Sequence, residues 1–175
     1  MHHIRALPIL GLPPANGLTR PVSRLIRVTS DSLLTRPTAN EFPRESKTDE
    51  DYLSNIAGGS NTVTVTFNQA AGYPDVRILE YRRVTKLDVT AGASGSGKSA
   101  SSGAATTTVA NELIFGANMV ATTTAAAGTG FTRRIITSPD GDLAEDKAVT
   151  TAGSNNATAT LSSSGPWVMQ MVTFK

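Results

Sequence analysis

Thr and Val alternate from Asn61 to Phe67: Val63, Val65 and Phe67 fall on one side and the threonines on the other. A strict period of two in β-branched residues predicts a half-buried strand. Gly58-Gly59-Ser60 before it and Ala71-Gly72-Tyr73-Pro74 after it are turn punctuation. Asp75–Tyr81 carries Val76, Ile78, Leu79 and Tyr81 on both parities, as a strand with little exposure does. Lys86–Thr90 predicts a shorter strand. Further strands are expected over Ala104–Val109, Glu112–Val120, Phe131–Thr137, Leu143–Thr150, Asn156–Leu161 and Trp167–Phe174. The breaks between them fall at Gly128-Thr129-Gly130, Ser138-Pro139-Asp140-Gly141, Gly153–Asn156 and Ser162–Pro166. In the last strand Trp167, Met169 and Met171 share one face and Val168, Val172 and Phe174 the other, which predicts a central strand covered on both sides. No segment reads as an amphipathic helix. The fold class expected is all-β, an antiparallel β-sandwich of jelly-roll or immunoglobulin-like type.

The first fifty residues differ. Six of the nine prolines lie there, and the apolar positions have no sustained period. Val22–Leu34 could form a short helix or strand, but nothing caps it. Residues 1–50 therefore read as a largely irregular, disordered or non-native segment, and residues 51–175 as the β-module.

Composition narrows the chemistry. With 175 residues the chain can bury a core. Hydrophobic residues make up 39% and charged residues 17%, and Thr, Ser, Ala and Gly fill the difference. That mixture suits extracellular β-modules. Without cysteine there are no disulfides, thiolate metal sites or cysteine nucleophiles. The two histidines, His2 and His3, stand at the start, so a Ser-His-Asp triad or an imidazole zinc site inside the module has no histidine to use. The net charge is +2, and residues 51–175 hold nine basic and nine acidic side chains. No basic stripe with interleaved aromatics exists, so nucleic acid is not an expected partner. No apolar run approaches the ~20 residues of a membrane span. Ile4–Leu12 is too broken by proline for a signal peptide.

One catalytic motif matches. Gly92-Ala93-Ser94-Gly95-Ser96-Gly97-Lys98-Ser99 fits the phosphate-cradling P-loop pattern, with Gly92, Gly97, Lys98 and Ser99 as its defining residues. A working P-loop needs a buried strand before it and a helix after it, whose N-terminus faces the phosphates. Thr85–Thr90 is too polar for that strand. Ala100–Thr108, with Gly103 and three successive threonines, is a poor helix. No apolar run ends in an acid that could hold magnesium. The stretch reads instead as a flexible, solvated hairpin loop, with nucleotide binding as the alternative.

A second candidate is acidic. Asp140, Asp142, Glu145 and Asp146 crowd one turn, and Asp140 and Asp142 are the pair that could hold calcium. The stretch does not match an EF-hand loop, and the plainer reading is a β-turn followed by an exposed strand start. Paired carboxylates could also serve a hydrolase, but no cleft or sugar-stacking aromatics mark one. Trp167 reads as core. Arg82-Arg83 and Arg133-Arg134 read as charges that guard edge strands.

Taken together, NTVTVTF (Asn61–Phe67), YPDVRILEY (Tyr73–Tyr81), KLDVTA (Lys86–Ala91), NELIFGANM (Asn111–Met119), FTRRIITSPDGDLAED (Phe131–Asp146) and GPWVMQMVTF (Gly165–Phe174) resemble a β-sandwich module of large secreted or surface bacterial proteins. The resemblance covers residues 52–175. Such modules recur beside immunoglobulin-like and fibronectin-like domains and have no assigned catalytic activity. It implies a non-catalytic module with no cofactor, acting in binding, adhesion or as a spacer, outside the cell. The implied partners are carbohydrate or other surface proteins, with a calcium-dependent adhesive or carbohydrate-binding module as a further alternative. It also implies a variable Ser/Gly/Ala-rich loop at Ala91–Gly103. Further strands would be expected upstream of Tyr52, where residues 1–50 do not resemble them. The sandwich would then have an uncovered apolar face or an open edge.

Overall fold

The computed structural model describes residues 5–8, 24–33, 47–53, 61–64, 73–84 and 86–175. Among them there is no helix, and every paired strand is antiparallel. The chain is all-β.

Four strands precede residue 70. They are β1 (Arg5–Pro8), β2 (Arg24–Leu33), β3 (Lys47–Leu53) and β4 (Asn61–Thr64). β1 pairs with β4. Val65–Phe67, expected to complete β4, and most of the first fifty residues lie outside the described residues. β3 runs across residue 50. β2 pairs along its whole length with β5 (Tyr73–Arg82), so strands from either side of that position share the sheet β3-β2-β5.

The rest of the chain supplies β6 (Leu87–Ser101), β7 (Ala105–Thr106), β8 (Glu112–Val120), β9 (Thr124–Ala127), β10 (Thr132–Ile136), β11 (Leu143–Val149), β12 (Ser154–Asn155) and β13 (Thr158–Phe174). The large sheet runs β10-β11-β8-β13-β6, with β9 on the first part of β13, while β7 and β12 pair separately. The strands expected at Glu112–Val120, Phe131–Thr137 and Leu143–Thr150 are present almost as read.

Two expectations fail, for one reason. Ala91–Gly103 is not a loop, because β6 continues through it as a 15-residue strand. Ser162–Pro166 is not a turn, because β13 is one 17-residue strand with a register shift between Thr160 and Gly165. Each strand is the other's partner over nearly its whole length. Thr158–Thr160 faces Ser99–Ser101, and Gly165–Phe174 faces Gly97–Leu87. A straight partner keeps both halves of β13 in line, so the extra residues leave as a bulge instead of reversing the chain.

β8 and β13 are central and apolar on both faces, as Trp167–Phe174 predicted. Phe115, Ala117, Val172 and Phe174 form one buried cluster with Val84 and Ala144. Ile114, Met169 and Met171 form another with Leu143, Ala100, Ala157 and Ala159, and Trp167 packs on its border. Leu79 and Tyr81 of β5 pack on the first cluster. Tyr52 of β3 meets Phe174 edge to face, ring centroids 5.4 Å apart. The three-stranded sheet thus lies against one face of the large sheet, an arrangement compatible with a β-sandwich.

A buried arginine fixes that contact. The β8–β11 ladder ends where Ala117 faces Ala144. One step on, Leu143 N–H donates to Asn118 Oδ1 (2.6 Å), and Val120 N–H donates to Asp142 Oδ1 (2.8 Å). The carbonyls of Asn118 and Leu143 both accept from Arg77 Nη1 of β5, at 2.9 and 3.2 Å. Arg77 is 3% exposed. Replacing it leaves two buried carbonyls short of a donor, each at a cost of about 1–3 kcal/mol. Arg77→Leu should lower the unfolding free energy by about 3 kcal/mol, read by urea denaturation, whereas Arg82→Leu at an exposed position should change it by less than about 0.5 kcal/mol.

Candidate functional site

The P-loop candidate has the wrong backbone. Gly92–Ser99 is extended and paired with Gly165–Gln170 and Thr160 of β13. An extended strand turns successive N–H groups to opposite sides, so they cannot converge on a phosphate. Ser102–Ala104 follows without a helix, and then comes β7. Gly92, Lys98 and Ser99 are exposed on this strand, and Gly97 is half-buried.

The glycines have structural work instead. A Cβ on Gly95 would stand 2.6 Å from Trp167 Cζ2, so the glycine leaves the space that the indole occupies. Gly97 has φ +147°, a backbone state that side chains disfavour. The match to the motif thus arises from a Gly/Ala/Ser strand shaped by an indole and one local twist.

The acidic turn does not gather ligands. Asp142 is buried and its Oδ1 is taken by the Val120 N–H, while Asp140 is only half-buried on the turn. Gly141 N–H donates to the Thr137 carbonyl (3.0 Å), and Asp142 N–H to Thr137 Oγ1 (3.0 Å), which closes the turn on itself. Among the described residues no three acidic or histidine side chains are grouped to hold a metal ion. The expectation of an exposed strand start is overturned as well: Leu143–Asp146 is buried. β11 lies between β10 and β8, and each of its carboxylates has a fixed role.

Asp146 accepts from Tyr81 O–H (2.6 Å) and from Arg134 Nε and Nη2 (2.6 and 2.8 Å). That pair fastens β10 to β5 and raises the Arg134 pKa above its ordinary value, mainly through the hydrogen bonds to Asp146. Glu145, on the opposite face of β11, is fully buried. Its Oε2 accepts from Gly128 N–H (2.7 Å), and its Oε1 has no partner among the protein atoms. Burial pushes its carboxyl up to about 7, against the opposing pull of the Gly128 N–H. Asp88, near the other end of the module, is held well below the ordinary carboxylate range by Lys175 and then by Thr108.

A groove that the sequence did not flag lies between β5 and the end of β10. Its volume is about 500 Å³, and it is lined by Asp75–Leu79 on one side and by Arg134, Ile135, Thr137 and Ser138 on the other. Val76, Ile78 and Ile135 are 40%, 51% and 45% exposed. They are three of the five large apolar side chains exposed among the described residues, which makes this a patch and not a scatter. β5 ends the three-stranded sheet and β10 ends the large one. Among the described residues, then, neither strand has a second neighbour, and both free edges border the groove. The Arg134–Asp146–Tyr81 contact ties the two strands together. Of the exposed pairs, Arg133-Arg134 lies in the edge strand β10, while Arg82 ends the edge strand β5 and Arg83 follows it in a bend. Asp75–Tyr81, expected to be a strand with little exposure, is instead a sheet edge that exposes Val76 and Ile78 on the face opposite Arg77 and Leu79.

No protein-family model, curated protein or solved structure matches this chain. Among the described residues no helix is long and apolar enough to cross a membrane.

Two outcomes follow from these contacts. Gly95→Val should displace the indole of the chain's single tryptophan, red-shifting its fluorescence and costing about 1–3 kcal/mol. Glu145 has a folded pKa near 7, above its ordinary 4.5, so the native state binds the extra proton between those values. Its contribution is therefore largest below pH 4.5 and is lost as pH rises through 7. Glu145→Gln should raise the melting temperature at pH 8 relative to wild type, by up to about 3 kcal/mol of stability, and should gain little at pH 4.

Proposed function

We propose that this chain is a non-catalytic β-sandwich module, of jelly-roll or immunoglobulin-like type, that serves an exported or surface protein in binding or adhesion. Its ligand surface is the groove between β5 and β10, and its ligand is a polypeptide in extended conformation. The observation that carries this reading is the coincidence of Val76, Ile78 and Ile135 with two strand edges that have no partner among the described residues. An edge offers unpaired N–H and C=O groups to an added strand, and apolar pockets beside it select alternate side chains. Carbohydrate recognition fits the groove less well, because its lining holds no aromatic ring to stack on a sugar.

The test uses a displayed random-peptide library and a glycan array on the same protein. The reading expects enrichment of peptides with alternating apolar residues. Their amide perturbations should map to Asp75–Leu79 and Arg134–Ser138. The double variant Ile78→Glu/Ile135→Glu should weaken them about tenfold or more while melting like wild type, since both side chains are exposed. Glycan binding without peptide enrichment, or peptide binding that the double variant leaves intact, would reject it.

A further inference from the structure

We propose that two copies of this chain pair edge to edge through β6, antiparallel and about a two-fold axis, joining their large sheets into one. The surface is separate from the groove and does not depend on the reading given there.

β6 is the far edge of the large sheet, and among the described residues no strand pairs with its outer side. Long, flat edges are templates for further pairing unless lysines, prolines, bulges or covering segments block them. On the other two edges arginines stand at the end of β5 (Arg82) and within β10 (Arg133 and Arg134), while Asp75–Leu79 beside the groove holds no exposed charge. β6 carries fewer blocks still. From Thr90 to Ser99 it has no proline and one charge, Lys98. Gly92, Ser94, Gly95, Ser96, Lys98 and Ser99 are exposed. Their side chains are short, apart from lysine, so they do not shield the main chain from an approaching strand. Pairing with β13 is regular from Thr90 to Ser96, after a register shift between Leu87 and Thr90, and Gly97 ends that stretch with its positive φ.

The partner is a second copy because the edge is compatible with itself. An antiparallel pair centred on Ser94 sets each Lys98 opposite the other copy's Thr90, so the two ammonium groups do not meet. Between those positions, from Ala91 to Gly97, small residues face small residues. A two-fold contact of this kind uses the same patch on both molecules and closes at the dimer.

Sedimentation velocity over a range of protein concentrations reads the assembly directly. A monomer–dimer equilibrium is expected, with amide protection over Thr90–Ser96 rising as dimer accumulates. In Ser94→Lys/Ser96→Lys like charges stand across the two-fold axis. That variant should dimerise about tenfold or more weakly and melt as the wild-type monomer does. Wild type that stays monomeric up to about 1 mM, a dimer without new protection over Thr90–Ser96, or open-ended oligomers would overturn the proposal. So would a folded double variant that dimerises as wild type does. Should the double variant not fold, the protection pattern of wild type decides alone.

Discussion

Arg77 is the constraint on which the layered structure turns. Two sheets can pack by apolar contact alone, and Phe115, Val172, Phe174, Leu79 and Tyr81 provide that contact. Apolar contact is non-directional, however, and does not set where one sheet sits on the other. The place is set where β8 and β11 part company and leave backbone groups without partners. Asn118 and Asp142 side chains satisfy the N–H groups, and one guanidinium from the opposite sheet satisfies two carbonyls. A buried polar network costs desolvation and returns geometric specificity. Here it locks β5 over the seam, and β5 in that position forms one wall of the groove.

The same locking explains why carboxylates sit inside this protein. Asp142, Glu145 and Asp146 look like a solvated acidic turn, yet all three are buried. Asp142 replaces a missing ladder bond, Asp146 gathers Tyr81 and Arg134, and Glu145 holds Gly128. Glu145 alone keeps an unpartnered oxygen, and burial rather than any charge partner dominates its titration.

Edges organise the functional reading. Among the described residues β3, β5, β6 and β10 each end a sheet, and the last three differ in side-chain chemistry. β5 and β10 combine arginines with aliphatic side chains and enclose a groove. β6 is bare main chain with serine, glycine and alanine. The proposed peptide groove and the proposed self-pairing edge lie on different strands, so the two would not compete.

Local sequence was enough for the strands whose periodicity is set by burial. Val63 in its threonine run, the two-faced Trp167–Phe174 stretch and the apolar Glu112–Val120 segment were all legible, because each alternation reports which side of a sheet is covered. The all-β class followed from the lack of any helical stripe, and the poor fit of GASGSGKS to a phosphate site followed from its flanks. Long-range pairing decided the rest. Glycine and serine have weak strand propensity, so β6 exists as a strand because β13 supplies its hydrogen bonds from about 70 residues away. The turn signal at Ser162–Pro166 lost to the same partner. The burial of Asp142, Glu145 and Asp146 and the placing of Ile78 and Ile135 in one groove depend on which strands become neighbours. That is a property of the assembled sheets, and no local window of residues contains it.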